Sequence, residues 1–379
     1  LFSILFLMTC IFSVSTHHLA CCCARPHPAL HSFPTRRSSD LIAAKIAGGK
    51  TLPDAIIKAI ANRTDGVPLF VEELTKSILE SGALIEDGDS YRMTGSLSEI
   101  AIPATLHDSL MARLDRLGSI KEIAQIAACV GREFSYKLML QVCELTEFEL
   151  EEALEQLTAV EMIHARGTPP DATYSFKHAL VRDAAYDGLL KERRMLYHRR
   201  ILSALETDAG AAPELLATHA EAAKLSDQAI DLWEAAGKAA MARPAYEEAQ
   251  AHLRRAIAMN AANVASGEKD ALLKAVALKV HLFVALSPGV GLWADEPVNT
   301  LEEALALADE AGDSPLRGDI ISGLVLSTYF RGSLESSLAR AGDLRRLADA
   351  SGDIAQILAA KRIEGIVRLK MGRLADAEP

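Results

Sequence analysis

The segment Leu307-Ala308-Asp309, followed by Gly312-Asp313, returns forty residues later as Leu347-Ala348-Asp349 and Gly352-Asp353. Gly332 and Leu334 return at the same offset as Gly372 and Leu374. A period of this length leaves few folds open. The stretches between the recurring glycines are rich in alanine and carry apolar residues three and four apart, the spacing of one helix face. Two helices fit in such a period, and a lone pair cannot bury its own apolar face, so pairs must stack to make a core. The C-terminal region is therefore expected to be an α-solenoid. The recurrence at Gly372 and Leu374 places the end of this sequence inside a further repeat, so truncation is expected there.

The same periodicity dominates most of the chain, and alternation of period two is almost absent, which predicts a mainly α fold. Three regions separate. In 42–102, helix-like Leu52 to Asn62 and Leu69 to Glu80 are divided by Gly66-Val67-Pro68, and a polar loop is expected at 86–98. In 103–178, helices are expected from Pro103 to Leu117, Ile120 to Val130, Ser135 to Glu144 and Thr146 to Val160, the last opened by a Thr146/Glu149 capping box. Met162 to Arg166 and Thr173 to Lys177 then read as two strands around a Gly/Pro loop. Short helices closed by a small β-hairpin are the outline of a winged helix. From 179 onward helix follows helix, and Trp233, Gly237, Ala249, Leu253 and Ala256 fall at the spacings of a tetratricopeptide-like pair, with small residues where the backbones approach.

The N-terminal end needs separate treatment. Ser32-Phe-Pro-Thr-Arg-Arg-Ser-Ser-Asp-Leu41 reads as a translated sequencing adapter, so residues 1–41 are expected to be a non-native leader, despite an apolar run that resembles a secretory signal. Without them only Cys129 and Cys143 remain of six cysteines, each inside an apolar helical pattern. Two scattered thiols suit a reducing cytoplasm and offer no metal spacing. Setting aside Arg25, Arg36, Arg37 and Asp40 leaves 37 basic residues against 50 acidic ones, a poor footprint for nucleic acid. No later segment is an uninterrupted apolar stretch of about 18 residues, so no membrane span is expected.

Individual motifs are sparse. Gly49-Lys50-Thr51 imitates the end of a phosphate loop, but Ala44 stands where the first glycine belongs and Pro53 interrupts the helix that should follow, so a flanking loop is the better reading. His178 ends the second expected wing strand and is the most interesting lone histidine. Lys191, Arg193, Arg194, His198, Arg199 and Arg200 share one helix with acidic and apolar neighbours and read as a solvated face. No Ser/His/Asp, paired-carboxylate or Cys/His arrangement has catalytic spacing.

Four runs, Thr64-Asp-Gly-Val-Pro-Leu-Phe-Val-Glu-Glu-Leu-Thr-Lys76, Ala101-Ile-Pro-Ala-Thr-Leu-His-Asp-Ser-Leu-Met-Ala-Arg-Leu-Asp-Arg-Leu117, Gly131-Arg-Glu-Phe134 and Tyr174-Ser-Phe-Lys-His-Ala-Leu180, carry a further signal. In this order they resemble large bacterial signalling proteins in which an adenylate/guanylate cyclase domain precedes an AAA-type ATPase module of the STAND kind and a tetratricopeptide-like region. The resemblance covers essentially all of 42–379. It implies that Gly66-Val67-Pro68 is the G-x-P element of an ATPase lid, with Pro68 near an adenine, and that His178 is directed at nucleotide phosphates. ATP or ADP would then be the cofactor, together with an upstream core whose phosphate loop and acidic strand are absent from this sequence.

The expected function is thus the regulatory and sensory part of a cytoplasmic, nucleotide-switched protein, with protein partners on the repeats and no catalysis by this chain alone. A maltose-regulator-type transcription activator and a standalone repeat adaptor are the alternatives. A helix-turn-helix after the repeats would mark the former. Direct DNA binding by the winged helix is disfavoured by the acidic charge and the lack of a basic recognition helix.

Overall fold

The computed structural model describes residues 36–94, 105–208, 210–312, 314–352 and 354–373; the expectations for 1–35 and the helix start at Pro103 lie outside them. The fold is mainly helical, with two small antiparallel sheets. The chain divides into two compact units, the first reaching Thr207 and the second beginning at Asp208.

In the first unit, α1 (Arg36–Ile46), α2 (Asp54–Thr64) and α3 (Pro68–Glu80) bury a shared face. Ile56 and Ile60 of α2, four apart, meet Phe70, Val71, Leu74 and Ile78 of α3, the expected stripe of an amphipathic pair. Pro68 opens α3 at its first turn, where a missing N–H costs nothing. The loop expected at 86–98 is, over its described part, a hairpin of β1 (Leu84–Asp87) and β2 (Ser90–Met93), paired Leu84 to Met93 and Asp87 to Ser90, with Gly88 at φ 60° in the turn. Only Leu84 of these strands is buried, so no alternation marked them in the sequence.

Next come α4 (Leu106–Arg116), α5 (Ile120–Val130), β3 (Glu133–Ser135), α6 (Tyr136–Val142), α7 (Glu147–Ala159), β4 (Ile163–Arg166) and β5 (Thr173–Phe176). The two expected strands are β4 and β5, but the sheet has three, in the order β3-β5-β4. Three residues are too few for β3 to show a period; what places it is Phe134, buried against Tyr174 and Phe176 with ring centroids 5.8 Å away in each case. The capping box forms: the Thr146 N–H donates to the Glu149 carboxylate at 2.9 Å, and the Glu149 N–H to Thr146 Oγ1 at 3.3 Å.

The first unit continues past the expected boundary at 178. α8 (Ala179–Asp187) packs on α4 and α5, and α9 (Lys191–Glu206) on α5 and α6. The buried face of α9 is Tyr197, His198, Ile201, Leu202 and Leu205, and periodicity alone cannot say which neighbour such a face chooses.

The second unit is a run of antiparallel helices: α10 (Pro213–Ala222), α11 (Ser226–Ala242), α12 (Tyr246–Ala265), α13 (Lys269–Val290), α14 (Asp295–Ala311), α15 (Arg317–Phe330), α16 (Leu334–Ser351) and α17 (Ile354–Lys370). Consecutive helices pack on each other throughout, as a helical repeat requires. The repeat glycines Gly312, Gly332, Gly352 and Gly372 follow the helix ends with φ of 85°, 82°, 68° and 76°, a left-handed turn that favours glycine. Gly237 has a different use, because a Cβ there would lie 2.7 Å from Leu253 Cγ, so the absence of a side chain lets α11 and α12 close together. Among the described residues α13 is long and apolar enough to cross a membrane, with a mean hydropathy of 1.6. Its Val276, Val280 and Phe283 are instead core residues, packed with Val298, Leu301, Ala304 and Leu324.

Candidate functional site

The turn between α2 and α3 is built by two successive left-handed residues, Asp65 at φ 47° and Gly66 at φ 75°. Gly66 is buried, Val67 is extended and half-exposed, and Pro68 is exposed at the head of α3. The Val67 N–H closes the turn onto the Thr64 carbonyl at 2.9 Å. His178 leaves β5 and caps α8 with extended backbone, but its side chain makes no capping bond. Its Nε2 is shielded from solvent and has no hydrogen-bond partner among the described residues. A buried ring nitrogen without a partner is costly in a finished protein interior, so such an atom invites a ligand.

No hydrogen bond joins Gly66, Pro68 and His178 directly among the described residues; their helices are joined by charge. Lys177, next to His178, donates to Glu72 of α3 at 2.9 Å and to Glu161 at 2.8 Å. Lys76 of α3 donates to Glu72 at 2.9 Å and also pairs with Glu161. Two ammoniums and two carboxylates therefore alternate in a ring between α3 and the sheet. Lys177, then Lys76, hold the Glu161 carboxyl well below the usual range, at about 2. Burial pushes the Glu72 carboxyl up, but the same two ammoniums outweigh it and leave it low. Burial likewise opposes the charge on Lys177, and Glu161 with Glu72 reverse the effect. Glu161 sits at φ 56°, a conformation that costs a non-glycine residue about 1 kcal/mol.

Deeper in, Arg113 of α4 pairs with Glu73 of α3, both almost fully buried. Its Nη2 also donates to the Val160 carbonyl at 2.8 Å and its Nε to Glu80 at 3.2 Å. One guanidinium thus fixes α3, α4 and the end of α7. Glu72, Glu73 and Arg113 lie within the runs quoted above, and pattern reading missed their role because, the Glu72–Lys76 pair aside, their partners stand 33 to 105 residues away and leave no local spacing.

Gly49-Lys50-Thr51 takes a structural role, as its spacing suggested. The Thr51 N–H donates to the Asp89 carbonyl at 2.9 Å, its carbonyl accepts from Tyr91 at 2.8 Å, and Lys50 pairs with Glu86. On α9, Lys191, Arg193 and Arg199 are exposed as expected, while Arg194 and Arg200 are half-buried. Arg194 donates to the Asp187 carbonyl at 2.8 Å and lies 4.6 Å from the Tyr186 ring centre, and Arg200 pairs with Glu144 at 2.8 Å. His198 is buried beside Tyr186, and burial, then Arg194, lower its pKa to about 4. Cys129 and Cys143 are free and buried, and burial pushes both thiols up to about 12, so they are inert.

In the repeats, Glu214, Glu248 and His252 offer ligand atoms within 4.8 Å of one another. Arg243 already bridges the carboxylates, 2.7 Å from Glu248 and 3.7 Å from Glu214, which accounts for their proximity without an ion. The His252 ring is stacked on Trp233, whose indole N–H donates to Glu221 at 2.9 Å.

No family model matches the chain. Over 266 residues it is 29% identical to an uncharacterised protein of Rhizobium meliloti (strain 1021), a match covering 68% of this chain and 25% of that protein. The chain thus spans about a quarter of the length of the curated relative it matches. A crystal structure of a Signal Transduction ATPase with Numerous Domains (STAND) protein with a tetratricopeptide repeat sensor, from Pyrococcus horikoshii, is similar over 91% of this chain and 58% of that one, with TM-score 0.33 and 14% identity.

Proposed function

We propose that this chain is the regulatory part of a nucleotide-switched signalling protein. In this reading residues up to Thr207 form a lid and a winged helix that close over ATP or ADP held by an ATPase core, which a cyclase domain precedes. The repeats from Asp208 onward bind a protein partner, in the cytoplasm. The observation that carries it is His178: a shielded, unpartnered imidazole nitrogen at the head of a helix, beside a lysine that grips the helix opened by Gly66-Val67-Pro68.

The residues fit the margin of a nucleotide site. Nε2 of His178 can donate to a phosphate oxygen, and the exposed Pro68 can pack on a base. The nucleotide itself would supply the difference between two states, since a switch moves only as far as its ligand binds them unequally. The Glu72/Lys76/Glu161/Lys177 ring would make α3 and the sheet respond together.

Calorimetry of ADP binding to the full-length protein tests the assignment. His178→Ala is expected to weaken ADP at least tenfold without lowering the Tm of the nucleotide-free protein; equal affinity removes His178 from the site. The 379-residue chain alone is expected to show no cyclase or ATPase turnover, and turnover that survives controls for contaminants would sink the idea that it is only regulatory.

A further inference from the structure

The two tryptophans of the chain have opposite surroundings. Trp233 is 4% exposed and fully provided for: the Arg255 guanidinium lies 4.7 Å from its ring centre, and Glu221 accepts from the indole N–H at 2.9 Å and from Arg255 at 2.8 and 3.0 Å. Cation, indole and carboxylate form one closed set. Trp293, in the turn between α13 and α14, is 52% exposed. Its ring is nevertheless fixed. It lies against the backbone of Gly291, where a Cβ would stand 2.9 Å from its Cζ2 and where φ is 88°, so the turn requires glycine. Arg331 donates from Nε to the Trp293 carbonyl and from Nη2 to Asp295, each at 2.6 Å. Phe330, the last residue of α15 and 43% exposed, has its ring centre 6.0 Å from that of Trp293, and Val290 at the end of α13 is half-exposed as well. Exposed aromatic rings held still are the anchors on which binding energy concentrates, because they have little side-chain freedom left to lose.

The occupant follows from charge. Among the described residues cations lie over the rings of Tyr91, Tyr186, Trp233 and Tyr329, and none lies over Trp293. In the Arg331–Asp295 pair the carboxylate is the outer member, 92% exposed against 34%, so the charge offered to solvent beside the indole is negative. Lys370 is taken up by the neighbouring Tyr329, 4.2 Å from its ring centre. Two members of the set that is complete at Trp233 are therefore present, and the cation has to come from outside. We propose that this patch receives an arginine of the protein bound by the repeats. Its guanidinium lies on Trp293 and donates to Asp295, and aliphatic neighbours in the same segment cover Phe330 and Val290. Arginine suits the patch better than lysine, because a planar guanidinium can stack and donate in one pose, as Arg255 does. The inference rests on the reading of the repeats as a protein-binding surface and names the chemistry that this surface selects.

A random dodecapeptide library panned on the 379-residue chain tests the chemistry. Selected peptides are expected to share an arginine with aliphatic neighbours, to shift the tryptophan emission to the blue, and to bind roughly tenfold more weakly to Trp293→Ala and to Asp295→Asn at unchanged Tm. Lysine in place of that arginine should weaken them severalfold. Trp293→Phe keeps only the buried Trp233, so the emission shift should vanish in that variant even where a peptide still binds. Should Trp293→Ala lower the Tm, Asp295→Asn decides, since its side chain stands in solvent. Selected peptides without arginine, or equal affinity for the parent chain and Asp295→Asn, overturn the proposal. If such peptides still bind the repeats, the protein-binding reading stands without it; if the library yields no ligand for the repeats, both fall. A dimer of the 379-residue chain dispersed by Trp293→Ala in sedimentation assigns the patch to a second copy and overturns the proposal as well.

Discussion

Arg113 and Gly237 each bring helices together, by opposite means. In the first unit, α3, α4 and the end of α7 meet around a guanidinium that is 3% exposed and bonded to Glu73, Glu80 and the Val160 carbonyl. In the second, α11 and α12 meet where Gly237 leaves room for Leu253, and Ala249 and Ala256 are fully buried beside it. Elements that do not repeat must each recognise one partner, and directional charged bonds provide that selection. Helices that repeat need only one shape of contact, which small residues supply at a fixed spacing.

The largest effect should come from breaking the charged centre. Arg113→Met leaves Glu73 buried without its cation and is expected to cost the first unit about 3–5 kcal/mol in urea unfolding, whereas replacing both residues by Met should restore most of it. A double mutant as unstable as the single one would show that geometry, not charge, holds these helices.

Acid comes next, and should discriminate between the units. An unfolded imidazole protonates near 6.5, but His198 in α9 stays neutral to about 4. The folded state therefore binds fewer protons between those values. Its stability should be complete above pH 6.5 and fall by up to roughly 3 kcal/mol as pH drops to 4. His198→Gln should flatten that part of the profile for the first unit and leave the repeats unmoved.

In the repeats, Gly237→Ala pushes a methyl into Leu253 and is expected to cost about 1–3 kcal/mol, read as a lower urea midpoint of the second unit. The smallest effect tests equivalence. Gly312→Ala, Gly332→Ala and Gly352→Ala meet no atom within 4 Å, so each should cost only the strain of a left-handed turn, about 1 kcal/mol. Three equal losses of Tm would show that the period in the sequence is also a period in energy.

Legibility divided along the same line. Most helices of both units were visible because their apolar faces repeat at helical spacing, and the capping box at Thr146 and Glu149 set one start closely. The β1/β2 hairpin and β3 were missed, since four residues with one buried side chain, or three residues in all, carry no period. Gly66, Pro68 and His178 were singled out in the sequence as candidate site residues, whereas Glu72, Lys76, Glu161 and Lys177, whose ion pairs join α3 to the sheet, were not. Their meaning depends on partners as many as 105 residues apart.

By itself the sequence determined what is local and periodic: a helical chain, the glycines at which it turns, and a forty-residue repeat. Tertiary structure alone decided which faces meet, that α8 and α9 join the first unit, that Glu73 and Arg113 are a buried pair, and that Trp293 is held half-exposed beside Phe330. The physical reason is range. Helical spacing and turn conformation act over a few residues and are written in order along the chain, whereas burial and ion pairing depend on distance in space, which the order of residues does not state.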